Sequence, residues 1–163
     1  MASANLSRST ASGTDTIWTW SGWIKRSKLG TSQTFFGTGN GSSSANSLQI
    51  RFDPNDTLDF RNFVSTNYNG RLNGGRKFRD TSGWYHFVFV WDTTQSSGGD
   101  RMKAYCNGEL ITGFTDIRDP SQNSSAHTSG SNTYIGTDGY GGNTYFDGSM
   151  SHVHFVDGTA LTP

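Results

Sequence analysis

The segment from Trp84 to Gly108 constrains the fold of this chain more than any other. Its first nine residues, WYHFVFVWD, carry large apolar side chains at both odd and even positions. A strand can be apolar on both faces only if both faces are covered. We therefore expect a central strand, Trp84 included, inside a stack of two sheets, with Phe87 and Phe89 shielded from water.

The second half of the same segment predicts a hairpin. Residues 101–106, RMKAYC, are apolar at every second position, as in a strand with one buried side, and Cys106 falls on that side. We therefore expect Cys106 to be a small buried hydrophobe. Asn107-Gly108 supplies the two residues with positive φ that a type I′ turn requires, and another strand follows it.

Composition favours many short strands in one domain, residues 1–163. The chain is rich in Gly, Ser, Thr and Asn and poor in Pro, and aromatic residues make up 13% of it although the apolar fraction is only 31%. About ten or eleven short strands follow one another at roughly even spacing. The pattern predicts an all-β fold, a two-sheet antiparallel β-sandwich or jelly roll. Residues 1–15 are polar and form either a loose terminus or an edge segment.

Charge and hydropathy exclude two classes of partner. The 13 basic residues balance the 13 acidic ones, so there is no electrostatic reason to expect nucleic acid. No apolar run approaches the ~18 residues of a membrane span, and no secretory signal is visible. We expect neither nucleic-acid binding nor membrane insertion.

The stretch 17–27, IWTWSGWIKRS, predicts a second long strand. Its apolar residues alternate, and Gly22 marks a bulge or a close backbone approach. The basic residues Lys25, Arg26 and Lys28 then mark the exit of the chain into solvent.

Two other positions carry local predictions. Residues 67–75, NYNGRLNGG, combine asparagine with glycine and predict a polar loop with an Asn-Gly turn. His86 alternates with the residues of the central strand and is expected to be a hydrogen-bonded histidine of the core.

Several segments together resemble a known family. WYHFVFVWD, MKAYCNGELI and YFDGSMSHVHFVDG occur in the order found in the concanavalin A-like, laminin-G-like jelly roll, in which a Trp-led buried strand, an Asn-Gly hairpin and a closing F-x-G-x-[MIL] strand recur. The chain is most similar to the laminin-G-like domains in structural proteins of marine bacteriophages. The segments that carry this similarity are NLSRST (5–10), WTWSGWIKRSKLG (18–30), FRDTSGWYHFVFVWDTTQ (78–95), RMKAYCNGELITGF (101–114) and YFDGSMSHVHFVDGTALTP (145–163).

The resemblance implies a function and a location. It implies a non-catalytic component of the virion surface, in a fibre, a tail or a capsid decoration, that binds host glycans or assembles with neighbouring subunits. Such domains usually have a further strand before residue 5 and a longer continuation at the other end. Either this chain is a trimmed version or a neighbouring subunit completes its sheet. Because an unpaired sheet edge pairs readily with another chain, we expect a homo-oligomer or other virion proteins as partners.

The same fold also occurs in glycoside hydrolases, which need two carboxyl groups facing each other across a cleft. Glu109 is the only glutamate and follows the Asn-Gly turn. The closest spacing of acids is Asp53, Asp56 and Asp59, of which the first two lie in a turn. No serine lies in a Gly-x-Ser-x-Gly motif. We therefore predict that the chain is not an enzyme.

Calcium is the one cofactor that the resemblance implies, at the loop rim of such domains. Calcium takes hard oxygen ligands, and Asp53, Asn55 and Asp56 offer a cluster of them. Asp138 and Asn143 offer a second cluster. Aspartate and asparagine are also ordinary turn residues, so a purely structural role is the alternative.

Glycan binding would depend on aromatic residues in loops beside hydrogen-bonding side chains, since a tyrosine covers the apolar face of a sugar ring. Tyr68 follows Asn67, and Tyr140 lies between Asp138 and Asn143. The alternative for each tyrosine is packing against its neighbours. For the whole chain, the alternatives are a secreted carbohydrate-binding module or glucanase-related carbohydrate-active protein, and a structural building block that polymerises.

Overall fold

The computed structural model describes residues 4–9, 13–39, 46–65, 67–128, 131–139 and 144–163. These residues form strands, turns and one short 3-10 helix (Gly98–Asp100), and none of them lies in a helix long and apolar enough to cross a membrane. The strands are β1 (Leu6–Ser9), β2 (Ile17–Arg26), β3 (Gln33–Gly39), β4 (Asn46–Phe52), β5 (Thr57–Val64), β6 (Asn67–Lys77), β7 (Tyr85–Asp92), β8 (Met102–Cys106), β9 (Glu109–Leu110), β10 (Asp116–Arg118), β11 (Asn132–Ile135) and β12 (Gly148–Asp157).

The strands form two sheets, and within each sheet every pair of neighbouring strands is antiparallel. One sheet has seven strands in the order β1-β11-β3-β4-β5-β6-β10, and the other has five in the order β12-β2-β7-β8-β9. Their inner faces enclose one aromatic-rich core, in which Phe35, Phe60 and Trp91 are fully buried. The predicted all-β, two-sheet antiparallel sandwich is confirmed.

The register of the seven-stranded sheet separates its two faces along every strand. One row of residues, paired from strand to strand, forms the apolar inner face, and it consists of Leu6, Ile135, Phe36, Ile50, Phe60, Leu72 and Ile117. The two end residues, Leu6 and Ile117, are exposed because no further strand covers them. Residues that alternate with this row face away from the core.

The predicted central strand is β7, which lies in the middle of the five-stranded sheet. Phe87 and Phe89 are fully buried against the other sheet, and Val88 on the opposite face is only 5% exposed. The carboxyl-terminal segment crosses that opposite face, where Thr19 Oγ1 donates to the carbonyl of Thr159. The burial of both faces is confirmed for residues 87–92, whereas Tyr85 and His86 are half-buried. The prediction that Trp84 belongs to this strand is wrong, because Trp84 precedes the strand and is 41% exposed.

The predicted hairpin is confirmed in detail. Asn107 and Gly108 have φ values of 53° and 85°, the two positive angles of a type I′ turn. Cys106 is buried on the inner face of β8, and burial raises the pKa of its thiol. A buried, protonated thiol is a packing residue.

The end of β2 differs from its prediction. Arg26 does not leave for solvent but is fully buried, because it keeps the phase of Trp20 and Ile24, whose side chains point into the core. Its guanidinium donates to Asp56 (3.0 Å).

At Gly22 a bulge is the correct alternative, although it lies in the partner strand: the register between β2 and β12 shifts between Ser151 and His154, opposite Gly22. A Cβ at Gly22 would also lie 2.8 Å from the Trp20 ring of the same strand.

Residues 67–75 form a strand, and the predicted loop is wrong. They belong to β6, which pairs with β5 on one side and β10 on the other. Gly70 faces the core, and a Cβ at this position would lie 2.9 Å from both the Trp91 ring and Met102 Sδ. The glycine therefore makes room for a tryptophan instead of forming a turn.

The outer face of the five-stranded sheet carries exposed aromatic and apolar side chains. His86 is half-buried on this face with its ring centroid 5.0 Å from that of Trp23, so the prediction of a core histidine is wrong. Trp23 is 41% exposed and Leu110 50% exposed. We call the surface of Trp23, His86, Tyr105 and Leu110 the aromatic face.

Candidate functional site

The outer face of the seven-stranded sheet is polar and carries four arginines. A row of residues, paired from strand to strand, crosses all seven strands on this face, and it consists of Ser7, Tyr134, Gly37, Gln49, Arg61, Arg71 and Arg118. The parallel row beside it contains Thr34, Arg51, Asp59, Asn73 and Asp116. We call this surface the arginine face, after Arg51, Arg61, Arg71 and Arg118.

Asp59 holds three of the four arginines together. Its side chain is fully buried, and its carboxylate oxygens lie 3.1 Å from Arg51 Nε, 3.2 Å from Arg61 Nη1 and 2.9 Å from Arg71 Nε. The three guanidinium groups are themselves 9–17% exposed. One carboxylate cannot occupy all of their N–H donors, since each guanidinium carries five.

Asp116 joins the fourth arginine to the cluster. Its carboxylate accepts from Arg71 Nη1 (2.7 Å) and Arg118 Nε (3.1 Å). Burial acts to raise the pKa of Asp116, but the hydrogen bond of Arg118 and the charge of Arg71 outweigh it and hold this pKa below its ordinary value. Asp116 is therefore charged at neutral pH, and the four arginines face two aspartates.

Tyr68 extends the cluster along β6. The guanidinium carbons of Arg71 and Arg118 lie 4.6 and 4.7 Å from the centroid of its ring, and the ring of Phe63 lies 4.5 Å away. These are cation–π and aromatic contacts that fix the orientation of the side chains involved. Tyr68 is half-buried, so part of its side chain remains open to a ligand.

Gln49 occupies the middle of the arginine face. Its Oε1 accepts from Arg61 Nε (3.0 Å) and Nη2 (2.6 Å), while its Nε2 is buried without an acceptor in the part of the chain that the structure describes. A buried amide donor without a partner costs stability unless something else accepts from it.

The segment that follows β11 packs onto this face over Gly37, where a Cβ would lie 2.7 Å from the carbonyl oxygen of Thr137. This brings Asp138, fully buried, to the same face as Tyr68, and Thr144 Oγ1 donates to its carboxylate (2.8 Å). Gly37 lies on β3 and Tyr68 on β6. Three strand spacings of about 4.8 Å separate those strands by about 14 Å.

Of the remaining predicted glycan residues, the structure describes only Asn67. Asn67 is exposed at the start of β6, and its amide donates to the carbonyl of Ser65 at 3.4 Å. Tyr140 and Asn143 lie outside the described residues, so the second tyrosine and the second calcium cluster stay predictions.

The first calcium cluster is already occupied by hydrogen bonds. Asp56 accepts from Arg26 (3.0 Å), from the backbone N–H of Gly30 (2.8 Å) and from Arg79 (3.1 Å). Asp53 accepts through Oδ1 from the backbone N–H groups of Asn55 (2.9 Å) and Thr57 (3.2 Å), and through Oδ2 from Asn73 (3.2 Å). Asn55 itself is exposed.

Among the described residues, no group of three or more His, Cys, Asp or Glu side chains is placed to hold a metal ion. Calcium binding at Asp53, Asn55 and Asp56 stays a prediction, and it requires these bonds to be replaced.

The sequence prediction missed the arginines of this face. Alternation in β5 puts Asp59 and Arg61 opposite Leu58 and Phe60, so their outward orientation was available from the sequence. Their convergence was not, because it depends on the register between four strands.

Comparisons with known proteins agree with this fold. The model of the Laminin G 3 family, described as the concanavalin A-like lectin/glucanases superfamily, matches residues 2–163. The chain belongs to this family. No curated protein sequence matches it significantly.

Solved structures with the same fold include three whose sequences are only distantly similar. The CBM40 of the IT-sialidase of Ruminococcus gnavus is 15% identical, with 99% of this chain and 95% of that one covered and a TM-score of 0.66. The native heptameric SAP-like pentraxin of Limulus polyphemus is 18% identical, with 93% and 68% covered and a TM-score of 0.62. Domain 4 of AbnA, a GH43 extracellular arabinanase of Geobacillus stearothermophilus in complex with arabinotriose, is 16% identical, with 96% and 68% covered and a TM-score of 0.61.

Proposed function

We propose that this chain is a non-catalytic carbohydrate-binding module and that the arginine face binds the glycan. The observation that carries the proposal is the set of four arginines around two aspartates on an outward-facing sheet surface. A carbohydrate-binding CBM40 and an arabinanase domain in complex with arabinotriose, which have the same fold, support the class of ligand.

The charges of the face favour an acidic glycan, one that carries carboxylate or sulfate groups. Arg118 is 52% exposed and uses only its Nε toward Asp116, so both Nη groups remain available to a ligand. A guanidinium binds a carboxylate or sulfate through two parallel hydrogen bonds. The half-buried Tyr68 beside it offers an aromatic contact for a sugar ring.

The ionisation of the carboxyl groups supports a role without catalysis. A glycoside hydrolase needs one carboxyl group whose pKa is raised so that it can donate a proton. In the described residues, every carboxyl pKa with a resolved shift is lowered, and these belong to Asp56, Asp80, Asp92, Asp100 and Asp116. Asp59 is held by three arginines.

A glycan array with acidic and neutral oligosaccharides tests the proposal. We expect the wild-type chain to retain acidic glycans and to lose them as salt is raised, because the attraction is between charges. Arg118→Ala should weaken binding about tenfold or more, since it removes charge-assisted hydrogen bonds worth about 1.5–3 kcal/mol.

Lys103→Ala is the matched control for this experiment. It also removes one positive charge, but from the opposite side of the sandwich, where Lys103 pairs with Asp100. It should bind acidic glycans as the wild type does. If no acidic glycan on the array binds the wild-type chain, or if both variants lose the same affinity for acidic glycans, the arginine face is not the binding site.

For the setting of the module we propose the surface of a virion, as a fibre, tail or capsid-decoration component that forms a homo-oligomer or contacts other virion proteins. The support is the resemblance of residues 78–95 and 145–163 to domains of marine bacteriophages. Electron microscopy of the purified chain should show fibres or closed assemblies. Isolated monomers that bind glycans would instead favour the alternative, a secreted carbohydrate-binding module.

A further inference from the structure

A cavity of about 440 Å³ lies between the two sheets at one side of the sandwich. Here the edge strand β12 of the five-stranded sheet faces β1 and β11 of the seven-stranded sheet. Phe36 and Ile135 in its lining belong to the apolar inner row of the seven-stranded sheet, whereas the arginine face lies on the other side of that sheet. The two sites are therefore separated by the sheet itself.

The cavity is too large to be a packing defect. Protein interiors hold few voids larger than one water molecule, whereas small-molecule sites span about 300–1,000 Å³. Its walls are mainly apolar, with Phe36 and Ile135 from one sheet and Val153 and Phe155 from the other. Apolar cavities of this kind exclude water and take up apolar molecules.

One polar feature indicates what else the occupant carries. Arg8 lies at the rim and makes no ion pair within the described part of the chain. The other charged residue of the lining, Asp157, already accepts from the backbone N–H of Thr14 at 2.9 and 3.2 Å.

From this arrangement we infer that the cavity binds a small anionic amphiphile, such as a medium-chain fatty acid. The apolar body lies between Phe36, Ile135, Val153 and Phe155, and the carboxylate lies at Arg8. This site is independent of the proposed glycan site, since it uses the inner side of the sheet.

Calorimetry with decanoate, and competition against the fluorescent probe anilinonaphthalene sulfonate, test this inference. We expect the wild-type chain to bind one decanoate and to release the probe as decanoate is added. Arg8→Ala should weaken decanoate about tenfold but leave decanol, which lacks the charge, unchanged. Val153→Phe should weaken binding of both because the larger side chain narrows the cavity between the two sheets.

Ile117→Phe is the matched control, since Ile117 is also at an edge of the seven-stranded sheet but far from the cavity. It should bind decanoate as the wild type does. Arg118→Ala should also bind decanoate as the wild type does, whether or not its affinity for acidic glycans falls. Should Val153→Phe fail to fold by circular dichroism, Thr133→Phe replaces it. The inference is overturned if the wild type shows no saturable binding, or if a folded cavity-filling variant binds decanoate unchanged.

Discussion

At the scale of single residues, Asp56 ties together three parts of the chain. It accepts from Arg26 on β2, from the backbone of Gly30 and from Arg79 after β6. Burial acts to raise the pKa of Asp56, but the hydrogen bonds from Gly30, Arg79 and Arg26 outweigh it and lower that pKa below its ordinary value of 3.8. Arg26 also lies 4.2 Å over the ring of Phe52. The pair is therefore a buried part of the core and not a surface contact.

Asp56→Asn should destabilise the fold by roughly 3–5 kcal/mol, because it leaves the charge of Arg26 buried without its counterion. Denaturant unfolding measures the loss. Asp100→Asn removes an exposed carboxylate that pairs with Lys103 and should change little. Equal stability of the Asp56 variant and the wild type would show that Arg26 is solvated.

The same network predicts acid sensitivity. Because the pKa of Asp56 is lowered in the folded state, its contribution to stability is present above pH 3.8 and is lost as the pH falls through the folded value. The melting temperature of the wild type should therefore fall more steeply in this acidic range than that of Asp56→Asn. Parallel melting curves for the two proteins would contradict the assignment.

Calcium competes with this network for the same oxygens. Binding at Asp56 would have to displace Arg26, Gly30 and Arg79, so we expect the melting temperature to be the same in calcium and in a chelator. A calcium-dependent rise that Asp56→Asn abolishes would instead support the cluster that the sequence predicted.

The orientation of Arg26 was predictable, but its partner was not. Counting in steps of two from Trp18 and Trp20 places Arg26 on the inner face of the strand. The basic residues Lys25 and Lys28 nearby instead favoured the interpretation that the chain enters solvent here. Asp56 lies 30 residues away in sequence, at a turn of the other sheet. Only the packing of the two sheets shows that these residues meet.

At the scale of elements, β6 shows why glycine is ambiguous in a sequence. Gly70 is covered by Trp91 and Met102, whereas Gly74 has a φ of 88° where the register with β5 shifts. Asn-Gly pairs usually mark turns, and here they occur inside a strand. The strand positions of Arg71 and Arg118, and with them the arginine face, therefore could not be derived from the sequence.

Gly70→Ala should destabilise the fold by about 1–3 kcal/mol, because the added methyl group overpacks the core against the Trp91 ring and Met102 Sδ. Gly99→Ala is the control, since a Cβ at Gly99 has no neighbour within 4 Å. Thermal unfolding compares the two. If the Gly70 variant is as stable as the control, the packing of Trp91 and Met102 does not require a glycine at position 70.

At the scale of the whole molecule, the two outer faces have opposite chemistry. The arginine face presents charged groups and a half-buried tyrosine, while the aromatic face presents Trp23 and Leu110 to solvent. Trp84, just before β7, and Leu161, whose N–H donates to Thr19, add exposed apolar area on the same side. Several exposed apolar side chains on one side of a protein favour that side as a surface for protein contacts.

The edges of the seven-stranded sheet are less suited to assembly than the sequence suggested. The edge strand β1 has only four residues and contains Arg8, and β10 has three with two charges, features that disfavour strand pairing between molecules. The long edge strand of the other sheet, β12, is interrupted by a register shift between Ser151 and His154, which also disfavours pairing. If the chain forms the oligomer expected from its sequence, we therefore expect the aromatic face to carry the contact. The double variant Trp23→Ser/Leu110→Ser should then sediment as a monomer at concentrations where the wild type is oligomeric, while Arg118→Ala should sediment as the wild type does.

Because glycan binding is assigned to the opposite face, the monomeric variant should keep its affinity for a monovalent acidic glycan but lose the gain in avidity on an array. A wild-type chain that stays monomeric at high concentration would remove both the oligomer and this role of the aromatic face.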